Sequence, residues 1–224
     1  MALLLNIDTA VQSASVCLSN NGIIIGELVN PPERDSASWL HVAIEKLLVE
    51  NQYRLQDLQG IAVSAGPGSY TGLRVGMASA KGLCYALNLP LISINTLQMM
   101  AAAVENPATE LLCPMIDARR MEVFTALYNS SLQEVMPSSN LILEAGAFEE
   151  RLSAHTICFF GNGSEKAKAV INHSNASFVE VKATASNMVR LSAEKFAQAQ
   201  FSDLAYAEPF YGKDFHSPVS TKFY

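Results

Sequence analysis

The sequence predicts an α/β protein of two lobes, each a mixed sheet with helices. Two observations carry this. Apolar strand-like runs alternate with amphipathic helical stretches along the chain. The same opening also occurs twice: an apolar strand ending in Asp, at Leu3 to Asp8 and at Leu111 to Asp117, followed by more strands before any helix. The repeat is one of architecture and not of sequence, and so short a match also arises by chance. Size agrees with the reading. The chain has 224 residues, half of them hydrophobic and 16% charged, enough to bury a sizeable core. That length fits one large domain or two units of roughly 100 residues. The boundary is expected at Asn106-Pro107. It gives an N-terminal lobe over 1–106 and a C-terminal lobe over 107–224, whose final helix and tail are free to pack back on the first lobe.

The elements follow in order. Leu3 to Ile7 is apolar and stops at Asp8-Thr9. Ala14, Val16 and Leu18 alternate with polar or small residues, the period of a strand with one face inward. Asn20-Asn21-Gly22 is a hairpin turn, and the run to Val29 is a third strand ended by Pro31-Pro32. Asp35 or Ser36 caps a helix over 36–50, with an apolar stripe at Leu40, Ala43, Ile44, Leu47 and Leu48. Gly60 to Ala65 is a strand leading into a glycine loop. Residues 72–87 read as a helix rich in small residues. Pro90 to Ile94 is a strand, and Asn95-Thr96 caps a helix running to Val104. In the second half, Ala118-Arg119-Arg120 turns the chain into a strand over Glu122 to Tyr128. Asn129 to Asn140 reads as a loop. A helix at 146–153, a strand at Thr156 to Phe160, a helix near 164–172, a short apolar run at Phe178 to Val181 and a helix over 186–200 follow. The tail Ala207 to Phe215 is aromatic and extended.

The glycine loop reads Gly66-Pro67-Gly68-Ser69-Tyr70-Thr71-Gly72. A strand, a glycine-rich turn and a helix start place free backbone N–H groups where an anion can sit, and Ser69 and Thr71 add hydroxyls. Two familiar phosphate loops do not fit. Gly72 is followed by Leu73 rather than Lys, and the last glycine is one residue late for the dinucleotide fingerprint. Two readings stand: an anion cradle, or a tight turn with a packed helix start. Asp8 and Asp117, each ending a leading strand, could hold Mg²⁺ between lobes, and each could equally cap a turn.

Other chemistry finds little support. The histidines, His41, His155, His173 and His216, include no pair at metal-ligand spacing, and there is no G-x-S-x-G elbow. His41 reads as a helix-flank residue. Arg74, Arg119 and Arg120 read as solvated. Cys17, Cys84, Cys113 and Cys158 are far apart in apolar runs and read as small buried side chains of a reducing compartment. The net charge of −6 argues against a broad nucleic-acid footprint. No run suggests a signal peptide or a membrane span, so a cytoplasmic protein is expected.

Several segments together resemble the TsaB (YeaZ) family. They are Ile7-Asp8-Thr9-Ala10, the glycine loop continued through Leu73-Arg74-Val75-Gly76, Lys81-Gly82-Leu83, and Pro114-Met-Ile-Asp117-Ala-Arg119. The resemblance is strong over the first hundred residues and looser beyond. It implies the actin-like, sugar-kinase-like ATPase fold, two related lobes around a cleft. It also implies a non-catalytic subunit of the bacterial machinery that makes threonylcarbamoyladenosine beside the tRNA anticodon. The implied partners are TsaD, which carries the metal and transfers the group, and the ATPase TsaE, with tRNA reached through the complex. The HxxxH metal motif of TsaD is missing around Arg34 to His41, which counts against the peptidase suggested by older naming. The first phosphate turn has Thr9-Ala10-Val11-Gln12 and no glycine. No metal and no required cofactor are therefore expected. Asp8, Thr9, Asp117, Gly161 and Gly163 would be a vestigial nucleotide site, with ATP or ADP binding at most weak. The glycine motif from Gly66 through Arg74 and Gly76 would position the partner face. Alone, the protein is expected to dimerise through the helices over 36–50 and 72–87. The alternative is a small-molecule kinase or ATPase of the same fold using Asp8 and Asp117 on Mg-ATP.

Overall fold

The computed structural model describes residues 2–31, 35–105 and 108–212. The expected boundary at Asn106-Pro107, Pro32, Arg34, His216 and the end of the aromatic tail lie outside the described residues.

Two five-stranded sheets dominate. The first contains β1 (Leu3–Asp8), β2 (Ser15–Asn20), β3 (Ile23–Val29), β4 (Gly60–Ser64) and β5 (Leu91–Ile94), ordered β3-β2-β1-β4-β5. The second contains β6 (Leu111–Asp117), β7 (Glu122–Asn129), β8 (Glu134–Ile142), β9 (Ile157–Phe160) and β10 (Ala176–Val179), ordered β10-β9-β6-β7-β8. Each is an antiparallel three-strand meander extended by two parallel strands beside its first strand. The second sheet thus repeats the first, strand for strand. The parallel strand β4 is buried throughout, as a central strand covered on both faces must be. The hairpin at Asn21-Gly22 has both residues at positive φ, 51° and 78°, the geometry that suits the strand twist.

Helices α1 (Ser36–Glu50) and α2 (Tyr70–Leu87) cover the first sheet. Asp35 caps α1 by accepting from the Ser38 N–H, and Ser69 caps α2 by accepting from the Gly72 N–H. The helix therefore starts two residues before the glycine that the sequence reading used as its start. The apolar stripe of α1, with Leu40, Ala43, Ile44, Leu47 and Leu48, is buried in the first lobe's own core. That stripe cannot also form a dimer interface. The outward face of α1 carries Val42 and Val49, and α2 exposes Tyr85.

Helix α3 (Thr96–Ala102) lies between the sheets, in a core shared by both lobes that includes Ile94, Met100, Ile116 and Phe160. In the second lobe, α4 (Glu149–Ala154) and α5 (Ser164–Lys168) are shorter than the sequence suggested. The expected loop at Asn129 to Asn140 is largely β8, a nine-residue edge strand. Pro137 is tolerated there because an edge strand has N–H groups that no neighbour requires. A 3₁₀ turn at Ala185–Met188 leads into α6 (Val189–Ala197), which packs on β1 and β5 of the first sheet. All four cysteines are buried and free.

Candidate functional site

The turn after β1 is a dense hydrogen-bonded knot. The Asp8 carboxylate is fully buried; its Oδ1 accepts from the Ser64 hydroxyl at 2.6 Å and the Ala10 N–H at 2.9 Å. Its Oδ2 has no partner. Burial outweighs those two bonds and pushes the carboxyl up to about 6. Ser64, at the end of β4, is a site residue with no signature in the sequence, because 56 positions separate it from Asp8.

The glycine loop is built around this knot. Ser69 N–H donates to the Ala10 carbonyl at 2.8 Å, and the Thr9 hydroxyl donates to the Gly72 carbonyl at 2.7 Å. Three glycines make the fit possible by having no side chain. A Cβ on Gly68 would meet Ala10, one on Gly72 the Thr9 carbonyl, and one on Gly76 the Thr9 hydroxyl. Close approach is the reason at these positions; of the loop glycines only Gly66 has positive φ, 116°. Gly66 exchanges hydrogen bonds with Thr96, which the sequence marks only as part of a helix cap. Two N–H groups that an anion would have used, those of Ser69 and Gly72, are thus committed within the chain.

Across from the loop, the second lobe supplies Asp117, at the end of β6. Lys166 of α5 binds it through Nζ–Oδ1 at 2.6 Å, and the Arg119 N–H donates to the same oxygen. The Lys166 bond, with help from the Arg119 amide, holds this carboxyl below the usual range. Asn162, between Gly161 and Gly163, accepts from the Asp117 N–H at 2.9 Å. The lobes enclose a cleft of about 1770 Å³ lined by Ala10, Gly68 to Thr71, Asp117, Arg119, Gly161 and Tyr211 among others. Asp117 therefore faces the cleft, whereas Asp8 is sealed beneath its wall. Arg74 donates to the Tyr70 hydroxyl at 3.1 Å and lies 5.3 Å from that ring's centre. His41 meets Ser79 across α1 and α2 at 3.2 Å. Among the described residues, no three His, Cys, Asp or Glu side chains gather as a metal site, and no helix is long and apolar enough to cross a membrane.

Known proteins share this architecture. A family model described as TsaD, tRNA N6-adenosine threonylcarbamoyltransferase, matches residues 29–215. The Bacillus subtilis tRNA threonylcarbamoyladenosine biosynthesis protein TsaB is 30% identical over 171 residues, 75% of this chain and 74% of the relative. The chain belongs to the TsaB branch of that family. The TsaB protein of Escherichia coli is 36% identical over 127 residues, 56% of this chain and 54% of its own length. A Pseudomonas aeruginosa crystal structure described as similar to peptidase YeaZ superposes with a TM-score of 0.83 over 95% of this chain and 100% of that one, at 24% identity. The two-lobed, actin-like fold of this TsaB-family chain is thereby established.

Proposed function

We propose that this chain is a non-catalytic subunit of tRNA threonylcarbamoyladenosine synthesis, supporting TsaD in a complex with TsaE and contacting tRNA through that complex. One observation carries the non-catalytic part. The segment that would receive phosphate is filled by the chain itself, with Ser69 N–H bound to the Ala10 carbonyl and Asp8 sealed against Ser64. A phosphate group entering there has to displace internal hydrogen bonds, each of which leaves a buried polar group to be satisfied. The chain therefore requires no cofactor of its own, and any ATP or ADP affinity in the cleft is residual. The glycine motif acts by setting the start of α2 and so the partner face. The site of action is the cytoplasm, where tRNA is found, and four free buried thiols suit a reducing compartment.

The test is reconstitution. TsaD, TsaE, tRNA and the small substrates are assayed for modification with and without this chain. The expected result is modification only when the chain is present, and none from the chain alone. Calorimetry with Mg-ATP accompanies it. Tight Mg²⁺-dependent binding by the isolated chain, abolished by Asp117→Asn, would replace this reading with the kinase or ATPase alternative.

A further inference from the structure

The segment after α6 takes an unusual path. From α6, which packs on β1 and β5, it runs on over the first lobe towards the cleft. Ser202 forms an antiparallel bridge with Leu91 at the edge of β5, and its hydroxyl meets that of Ser93 at 2.8 Å. Lys81 of α2 then donates to two successive stretches of its backbone, at the carbonyls of Ala205 (3.2 Å) and Ala207 (2.9 Å). Further on, Phe210 N–H donates to the Ala65 carbonyl at 2.7 Å, and the Phe210 carbonyl lies against the bare face of Gly66. The Tyr211 ring rests on Tyr70 at the cleft rim, with centres 5.0 Å apart.

The last described residue then changes lobe. Gly212 has φ 71°, and a Cβ there would fall 2.6 Å from the ring of Phe124. Phe124 belongs to β7 of the second sheet and lines the cleft. The backbone at 212 therefore lies close against a ring of the opposite lobe, and any side chain would push it away. Among the described residues, the strap is attached to the first lobe at β5, Lys81, the Ala65–Gly66 backbone and Tyr70, and reaches the second lobe at Phe124. The base of the cleft is held separately by the shared core around α3.

We propose that residues 202–212 are a latch between the lobes that sets how far the cleft opens. The attachments on β5, α2 and the glycine loop make the strap move with the first lobe, so the contact of Gly212 with Phe124 transmits that lobe's position to the second. Because Tyr211 sits on Tyr70, which holds Arg74, the outer face of α2 and the cleft rim are connected through one chain of side chains. The inference is independent of the function proposed above.

Spin labels placed at Glu45→Cys on α1 and Glu149→Cys on α4, both exposed, report the lobe separation in the full-length chain by pulsed electron spin resonance. Gly212→Val is expected to shift the distance distribution to longer values and broaden it. Chymotrypsin cleavage after Tyr206 and Phe210 is expected to become about tenfold faster, because the strap spends more time detached. Tyr211→Ser removes only a half-buried ring and is expected to give the same changes in smaller degree; it decides the matter if Gly212→Val does not fold. Faster cleavage with an unchanged distance distribution in either folded variant would overturn the latch and leave the strap as a covering of the first lobe alone.

Discussion

The hydroxyl of Thr9 donates to the carbonyl of Gly72, and the carbonyl of Thr9 occupies the place of a side chain on Gly72. Each residue thus fixes the other, and the β1–β2 turn and the first turn of α2 act as one unit. Gly72→Ala is expected to cost on the order of 1–3 kcal/mol, since backbone must shift to admit the methyl. Urea unfolding should show a lower midpoint at unchanged slope. Gly82→Ala is the control. Nothing lies within 4 Å of a Cβ there, and the change should stabilise α2 by roughly 0.5–1 kcal/mol. Equal effects at the two positions would refute the packing argument.

Asp8 makes stability depend on pH in an uncommon direction for a carboxylate. Its folded value, about 6, lies above the ordinary 3.8, so the folded state holds its proton more tightly than the unfolded one. Protonated Asp8 favours folding below pH 4. That benefit is lost as pH rises through the window from 4 to 6, a change of about 3 kcal/mol at most. Asp8→Asn keeps one acceptor for Ser64 and Ala10 and removes the charge. The variant is expected to be more stable than the parent at pH 8 and to lose the parent's decline between pH 4 and 6. Chemical denaturation at a series of pH values measures both; parallel pH profiles would contradict the assignment.

Much of this arrangement could be read in the residues. The period-two alternation at Ala14, Val16 and Leu18 and the stripe of α1 gave their elements because burial on one face enforces the period. The strand β8 was hidden because its residues are mostly exposed, so no buried face imprinted a pattern. The glycine motif was visible as a motif, but its purpose was not. Whether Gly68 turns the chain, cradles an anion or admits Ala10 is decided by what lies opposite. Ser64, Thr96 and Lys166 reach their partners from 30 to 56 positions away, at spacings that no local rule captures.

For the dimer expected of the isolated chain, the outward face of α1 offers exposed apolar side chains. Val42 and Val49 stand on that face, 61% and 68% exposed, seven residues and about two turns apart. Val49→Glu is expected to leave monomer stability within about 0.5 kcal/mol. It should weaken self-association at least tenfold, about 1.4 kcal/mol. Light scattering over a concentration series reads this directly, and an unaltered dimer would place the interface elsewhere.

Arg74 is exposed, and its side chain donates to Tyr70. Arg74→Ala is expected to leave the unfolding midpoint nearly unchanged while lowering affinity for TsaD on the order of tenfold, as truncation of an interfacial arginine does. Titration calorimetry against TsaD provides the measurement. Undiminished affinity would remove Arg74 from the partner face.

Asn6, in the middle of β1, is buried and accepts at 2.6 Å from the hydroxyl of Ser192, which lies 186 residues later in α6. Ser15 of β2 likewise accepts from the Ala185 N–H. During synthesis, then, β1 and β2 wait for the segment over 185–192 to emerge. A nascent chain stalled before residue 192 leaves the Asn6 acceptor unsatisfied in the middle of β1, so the first sheet cannot reach its final form until that segment has left the ribosome.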